Sequence, residues 1–391
     1  AMQGNLEVLD RGAARDPEAW WAAHFPEDAA DRRLWEEGVR VLALDRALSE
    51  RVKALALDNG FARVGIARAG PLAEDGARLE AWLAAGYHGQ MAYMQEHADV
   101  RADPTHSGML PSARSVIVLA TAYARRPGLS NLEPGRIARY AQGRDYHGLL
   151  YDRTRPLRRL LRAHGATARA CVDTLPVLER AWAVRAGLGF VGKNACLIIP
   201  GLGSHLLLTA IVTSAELEPD APQRERCGEC TLCLDACPTR AFVGPKQLDA
   251  RRCIAYLTIE HEGPIAEDLR ADMGDWLFGC DVCQDVCPFN RTSQPTPDGP
   301  DPLAPRERWA ELGAEDFLRM NADDFDRYSR NSALRRAGRQ SMARNAAIVL
   351  GNAGDKRHLP VLQRAAAQER SPVVASAASW ALTRLRARHD A

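Results

Sequence analysis

Hydrophobic and polar positions follow two different rhythms between residues 46 and 220. The stretch LSERVKALALDNG (48–60) has apolar residues at helical spacing and ends in glycine, which predicts an amphipathic helix. The segment FARVGIARA after it predicts a strand. Three further runs are short, apolar and rich in β-branched residues, and they predict buried strands: Ser115–Tyr123, Ala168–Thr174 and Leu206–Ser214. Strands separated by helical stretches predict an α/β domain over 46–220.

An alanine-rich pattern occupies residues 331–391. Two helices of similar composition are predicted at 341–355 and 371–387, and each follows another helical segment. Such helix pairs predict an all-α HEAT-like repeat. Residues 296–330 read as a linker and helical segment, because 292–305 hold five prolines. Residues 1–45 read as an N-terminal extension with a helical pattern near 31–48 and no recognisable chemistry.

The overall composition is ordinary, but the basic residues are unevenly distributed along the chain. The 391 residues predict two to three domains, with 46% hydrophobic and 26% charged positions and a net charge of +1. No run approaches about 18 apolar residues, and no secretory leader is visible, so we expect a soluble, cytoplasmic protein and no membrane partner. Residues 331–391 hold eleven Lys and Arg against three Asp and Glu. This excess of +8 favours binding to a phosphate backbone, and the alternative is a solvated helix face.

The cysteines carry the strongest chemical signal. Eight of the ten lie between 227 and 287, which predicts a metal-binding module over 221–295. Cys227-x2-Cys230-x2-Cys233-x3-Cys237-Pro is the spacing of bacterial ferredoxins, and Cys280-x2-Cys283-x3-Cys287-Pro ends in the same way. Eight thiolates are enough for two 4Fe–4S clusters, so a ferredoxin-like fold is predicted for this module.

The ferredoxin spacing also assigns the ligands. In two-cluster ferredoxins the last cysteine of a run binds the other cluster. One cluster is therefore predicted on Cys227, Cys230, Cys233 and Cys287, and the other on Cys237, Cys253, Cys280 and Cys283. Two structural zinc sites are the alternative, although zinc ribbons usually have two separated CxxC pairs. Cys171 and Cys196 stand in apolar surroundings and are predicted to be buried, unreactive thiols.

Several motifs around the cysteines resemble the epoxyqueuosine reductases. The resemblance covers the chain from about residue 46 onwards, and residues 1–45 depart from it. The motifs are GYHGQMAYM (86–94), GRDYHGLL (143–150), VDTLPVLERAWAVRAGLGFVGKN (172–194) and CIAYLTIEHEGPI (253–265).

This resemblance implies a function. Epoxyqueuosine reductases remove the epoxide oxygen of epoxyqueuosine at the wobble position of tRNAs with a GUN anticodon. They use cobalamin in the α/β domain and two 4Fe–4S clusters beside it. A flavodoxin or ferredoxin is the electron donor that we expect, and a monomer is the expected state.

The resemblance also implies roles for single residues. Asp173 matches the proton donor, a role that requires a pKa raised by burial beside the cofactor. The alternative for Asp173 is an N-cap of the following helix. Arg101, Leu197, Leu208 and Ala255 match cobalamin-binding positions, although Ala255 stands where the family often has serine and can offer only its backbone. His147 is expected in the pocket or facing tRNA, and not as a cobalt ligand.

Two other functions remain open at this point. A cobalamin-dependent reductive dehalogenase would act on a small molecule, but such enzymes usually have an export signal and lack a basic helical tail. A plain electron carrier would leave about 170 residues ahead of the clusters unexplained.

Overall fold

A computed structural model describes residues 46–123, 134–291, 301–309 and 311–390. The chain divides into a unit of Ala1–Arg51 and a unit of Val52–Ala391. The predicted extension 1–45 lies outside the described residues, as does most of the helix expected at 31–48. Residues 292–300 of the proline-rich segment also lie outside them.

The strands are short except for two. In chain order they are β1 (Arg63–Arg68), β2 (Ser115–Ala122), β3 (Arg136–Ile137), β4 (Ala168–Cys171), β5 (Phe190–Val191), β6 (Leu197–Ile198), β7 (Leu206–Thr213), β8 (Phe242–Gly244), β9 (Gln247–Leu248) and β10 (Trp276–Phe278).

Helices connect the strands and then continue alone to the end of the described residues. In chain order they are α1 (46–58), α2 (Ala73–Ala84), α3 (Tyr93–Glu96), α4 (Ala98–Ala102), α5 (Tyr146–Arg153), α6 (Arg155–Ala163), α7 (Glu179–Arg185), α8 (Leu232–Asp235), α9 (Ile254–Ile259), α10 (Glu267–Arg270), α11 (Val282–Asp285), α12 (Pro288–Arg291), α13 (Ala314–Arg319), α14 (Ala322–Ser329), α15 (Gly338–Ala353), α16 (Leu359–Gln368) and α17 (Pro372–Asp390).

One four-stranded sheet organises the first half of the second unit. Its order is β1-β2-β7-β4, and every neighbouring pair is antiparallel. Residues 116–120 of β2 have no exposed surface, which explains why all five are apolar and three are β-branched. All four strands predicted from the sequence are present, but β4 ends at Cys171 because the chain turns sharply at Asp173, whose φ is 59°.

A second hydrophobic core joins the cysteine-bearing segment to the C-terminal helices. It runs from Ile254 and Phe278 through Trp309 to Ala343 and Leu385. The mixed α/β character and the C-terminal helical region are therefore confirmed. No helix in the described part of the chain has the length and apolar character that crossing a membrane requires.

One basic residue of 331–391 lies in the interior and not on the surface. Arg344 is only 1% exposed, so it does not contribute to a basic surface, although it is part of the excess of +8. Its guanidinium donates to the backbone oxygens of Leu257, His261 and Gly263 at 2.7, 2.8 and 2.7 Å. Asn345 beside it donates to the oxygens of Thr258 and Leu277. This pair, the Arg344–Asn345 junction, satisfies carbonyls at the end of α9 and at β10, so Arg344 is part of the interior.

Candidate active site and cluster module

Two short helices carry the centres of the cysteine runs. Helix α8 contains Cys233 and packs on α11, which contains Cys283. Burial and then the negative charges of Cys287, Cys227 and Cys230 raise the pKa of Cys233 to about 11. Cys227 also packs against the small hydrophobic cluster that contains Cys287, so the first run and Cys287 are neighbours, and we call these four thiols the first set.

The remaining four predicted ligands form a second set. Burial raises the pKa of Cys280 to about 12, with Cys253 and Cys237 as charged neighbours. The pKa of Cys283 is raised as well, and Cys253 and Cys280 are among its neighbours. Cys287 thus stands with the run that begins at Cys227, and Cys237 stands with the other run.

Among the described residues, no group of three His, Cys, Asp or Glu side chains is placed to hold a single metal ion. A 4Fe–4S cluster spreads its four thiolates over four iron atoms.

The surroundings of the two sets differ. Leu232, between Cys230 and Cys233, is 46% exposed, so the first set lies near the surface. The second set is enclosed by structure: the Asn194 amide donates to the oxygen of Cys283 at 3.3 Å. The backbone N–H groups of Tyr256 and Ala255 face the Cys253 sulfur and oppose the rise of its pKa that burial causes. Ala255 therefore supports a cysteine, and it does not line the cavity described next.

A cavity of about 210 Å³ lies between the sheet and the second cysteine set. Leu197 and Leu208, both predicted as cofactor contacts, line it together with Tyr123, Tyr140 and Cys196.

Cys171 is completely buried, as expected. Cys196 is partly buried, lines the cavity and has Cys283 as a hydrogen-bonding neighbour, so the expected burial is met only in part. The apolar residues on either side of Cys196 gave no indication that it lines the cavity.

Asp173 stands at the centre of a polar network outside the cavity. Its left-handed backbone conformation (φ 59°) is strained for a residue with a side chain, a feature that is common at functional sites. Tyr146 donates its hydroxyl proton to Asp173 Oδ2 at 2.5 Å. The His147 Nε2 lies 3.6 Å from the same oxygen, and its Nδ1 lies 2.7 Å from Asp145 Oδ1. The next helix, α7, begins at Glu179, so Asp173 is not its N-cap.

This network acts on the pKa of Asp173 in the direction opposite to the expected rise. The nearby His147 and then the hydrogen bond from Tyr146 hold the pKa of Asp173 below its usual value, although burial opposes them. The expected rise depends on burial beside the cofactor, whereas these two residues favour the carboxylate. The hydrogen bond with Asp145 and the nearby carboxylate of Asp173 raise the pKa of His147 to about 9. Near neutral pH the proton of this network therefore resides on His147.

Arg101 is part of the surroundings of this network. Burial lowers the pKa of Arg101, and the charges of Glu179, Tyr93 and Asp173 oppose that shift. Its Nε is buried without a hydrogen-bond partner among the described residues. Glu179 was not identified as a site residue from the sequence. Burial raises the pKa of Glu179 to about 7, with Asp173 as a neighbouring charge.

Tyr93 covers the outer edge of this site. The guanidinium of Arg101 lies 5.9 Å from the centre of its ring, and that of Arg336 lies 5.6 Å from it. Arg336 is held in place by two hydrogen bonds to Glu260, at 3.1 and 2.8 Å. A residue of the C-terminal basic region thus reaches the surroundings of Asp173.

Two family models match the chain. Residues 101–174 match "Epoxyqueuosine reductase QueG, DUF1730", and residues 226–290 match "4Fe-4S double cluster binding domain". Among curated proteins, the epoxyqueuosine reductase of Xanthomonas campestris is 40% identical over 340 residues, which cover 85% of this chain and 94% of that protein. The Escherichia coli epoxyqueuosine reductase is 39% identical over 78% of this chain and 81% of its own length.

Solved structures give the same result. An epoxyqueuosine reductase crystallised with an epoxyqueuosine-modified stem loop of tyrosine tRNA superposes with a TM-score of 0.80 at 31% identity, covering 87% of this chain and 90% of that chain. The Bacillus subtilis enzyme, whose catalytic aspartate loop is swung out of the active site in that structure, superposes with a TM-score of 0.78 at 30% identity and the same coverage.

Proposed function

The chain belongs to the epoxyqueuosine reductase family, and we propose how its residues divide the work of that reaction. As a member it is an oxidoreductase of tRNA queuosine synthesis that depends on cobalamin and 4Fe–4S clusters and reduces epoxyqueuosine to queuosine. The observation that carries this conclusion is the 40% identity over 94% of a curated member. We propose that the substrate is epoxyqueuosine at the wobble position of tRNAs with a GUN anticodon.

The reaction needs electrons and protons in equal number. An epoxide that becomes an alkene takes up two electrons and two protons and releases water. The bound cobalamin and clusters supply the electrons, which no side chain can provide. We propose that the set of Cys227, Cys230, Cys233 and Cys287 holds one cluster. The other cluster is held by the set of Cys237, Cys253, Cys280 and Cys283. Because this second set lies beside the cavity, its cluster is the one that we propose as the neighbour of cobalamin.

The cavity residues would line one side of a corrin ring. Leu197, Leu208 and the two tyrosines would offer an apolar surface to a flat macrocycle. Outside the cavity, beside Asp173, the buried Nε of Arg101 has no hydrogen-bond partner among the described residues. An unpaired buried donor costs about 1–3 kcal/mol, so a cofactor amide or substrate phosphate would satisfy it. Ala255 takes part only through the cluster ligand Cys253.

Asp173 is the group that we propose hands a proton to the departing oxygen. Its depressed pKa makes it a carboxylate at neutral pH, so it requires a proton source. The imidazolium of His147, whose Nε2 lies 3.6 Å from Asp173 Oδ2, is that source. Tyr146 keeps the carboxylate oriented, and Asp145 keeps His147 charged. General acid catalysis of this kind contributes about 100- to 10,000-fold to a rate.

The C-terminal helices are proposed to bind tRNA. Helices α15, α16 and α17 pack side by side, which is compatible with HEAT-like repeats. Their basic residues supply phosphate contacts, apart from Arg344, which is buried. A flavodoxin or ferredoxin is proposed as the electron donor, and the near-surface position of the first cysteine set supports it.

The test is conversion of tRNA that carries epoxyqueuosine. Protein with reconstituted clusters, cobalamin and a chemical reductant is incubated with the tRNA, which is then digested for nucleoside mass spectrometry. Loss of one oxygen that requires cobalamin is the expected result. No conversion by protein that retains cobalamin and both clusters would contradict the proposal.

A further inference from the structure

Helices α5 and α6 form one nearly continuous rod that leads away from the catalytic network. Helix α5 begins at Tyr146, directly after Asp145, and Thr154 between the two helices keeps a helical backbone (φ −79°, ψ −12°). At 1.5 Å per residue, the rod extends about 22 Å from His147 to Arg162. One end of the rod is therefore at Asp173, and the other is remote from it.

The rod has a buried face and a basic face. Leu150, Leu157 and Leu161 have no exposed surface, and their spacing of seven and four places them on one side. Tyr151, Arg155, Arg159 and Arg162 follow each other at intervals of three or four residues on the opposite side, and we call these four the α5–α6 stripe. Tyr151 is 44% exposed, and the three arginines are exposed too.

The α5–α6 stripe lies in a segment of the chain that is rich in arginine. Residues 151–166 contain five arginines and one acid, Asp152, in a chain whose net charge is only +1. Asp152 pairs with Arg155 at 2.9 Å. The guanidinium of Arg158 lies 4.3 Å from the centre of the Tyr151 ring and helps to fix that ring. The side chains of Arg159 and Arg162 make no hydrogen bond or ion pair with any residue that the structure describes.

We propose that the α5–α6 stripe binds the sugar–phosphate backbone of the RNA substrate beside the nucleotide that enters the site. This inference rests on the proposed function and adds a contact surface on the reductase domain to the one proposed on the C-terminal helices. Successive arginines are separated by about 4.5–6 Å along the helix axis, so each can meet a different phosphate. An exposed aromatic ring among basic residues is suited to stacking a base.

The position of the stripe favours RNA over an acidic redox partner. An electron donor must approach a cluster, whereas α6 packs chiefly on α5 and β4, neither of which carries a cluster cysteine. Tyr151 lies one helical turn from His147, so a strand bound along the stripe would lead directly to the catalytic network.

The test removes the three charges without removing the helix. In the variant R155Q/R159Q/R162Q, glutamine keeps a helix propensity close to that of arginine. Binding of a fluorescent anticodon stem-loop RNA is measured against salt concentration. The dissociation constant should rise about tenfold near physiological salt, and the slope of log affinity against log salt should fall by about 2–3. The RNA concentration that gives the half-maximal conversion rate should rise by the same factor.

The variant R78Q/R319Q/R327Q is the matched control. These arginines are also exposed and helical, and removing them changes the net charge equally. It should bind RNA as the unmodified protein does. An R155Q/R159Q/R162Q variant that binds RNA with unchanged affinity and salt slope would overturn the inference. If that variant is slowed only with reduced flavodoxin as donor, the stripe is a donor surface and the inference is also wrong.

The two proposals can fail separately. If unmodified protein binds the stem loop but does not convert epoxyqueuosine, the proposed function fails, while weaker binding by the triple variant still supports the stripe.

Discussion

The Arg344–Asn345 junction and the Asp173 network use polar side chains in opposite ways. Arg344 is 1% exposed, and its guanidinium is saturated by three backbone oxygens and the side-chain oxygen of Asn345. Asp173 is 62% exposed and has a strained backbone, and its carboxylate accepts a hydrogen bond from Tyr146 and lies 3.6 Å from His147 Nε2. A fully satisfied network fixes one arrangement, whereas a strained, half-open one can exchange protons with a substrate. The junction therefore stabilises the fold, and the network has the features that the proposed proton transfer requires.

The largest expected effect is on turnover, at Asp173. Asp173→Asn keeps the shape and tolerates the left-handed backbone but cannot carry the proton. We expect the conversion rate to fall about 100- to 10,000-fold, with cluster and cobalamin content and the melting temperature unchanged. The control, Asp326→Asn, changes an acid that is 66% exposed, and it should convert at the normal rate. Near-normal turnover by Asp173→Asn would remove Asp173 from the chemistry.

The largest effect on stability is expected at Arg344. Arg344→Met keeps much of the volume but leaves the oxygens of Leu257, His261 and Gly263 without their donor. We expect the free energy of unfolding to fall by about 3 kcal/mol or more, because buried unpaired carbonyls cost about 1–3 kcal/mol each. Thermal and denaturant unfolding measure it, with the exposed Arg327→Met as control. A loss below about 1 kcal/mol would show that water or relaxation replaces the guanidinium.

A smaller effect is expected at His147. His147→Gln removes the proton source and retains hydrogen-bonding capacity, so protons must reach Asp173 from water. We expect about a tenfold slower conversion at neutral pH, at the low end of general acid effects. Conversion should be measured in single turnovers with excess enzyme, so that RNA affinity does not enter. Equal rates for the variant and the unmodified protein would mean that solvent supplies the proton.

The smallest effect is a shift of pH dependence at Asp145. The Asp145 carboxylate is the largest cause of the raised pKa of His147. Asp145→Asn can still accept the α5 N-cap hydrogen bond, but it removes the charge, so the pKa of His147 should move toward the ordinary value of about 6.5. Because the imidazolium is the active form, conversion should decline at lower pH than in the unmodified protein. An unchanged profile would exclude Asp145 from setting this pKa.

Features that depend on neighbouring residues in the chain, such as buried strands, could be predicted from local sequence patterns. The apolar, β-branched runs of β2 and β7 predicted buried strands, and the cysteine spacing predicted the double-cluster 4Fe–4S domain that the family model matches. Contacts between distant segments could not be predicted in this way. Tyr146 and Asp173 are 27 residues apart, and Arg344 meets Leu257 across 87 residues. The lowering effect of His147 on the pKa of Asp173 could not be predicted either, because the position of His147 beside Asp173 is a tertiary feature.

The most direct test of the proton-delivery account is the pH dependence of single-turnover conversion from pH 6 to about 10.5. His147 has a folded pKa of about 9, above its ordinary value, so the proton is present below that pH and lost above it. The account predicts a rate that falls as the pH rises through about 9, and a His147→Gln variant that lacks this decline. A rate that stays level across this range, or the same decline in His147→Gln, would contradict it.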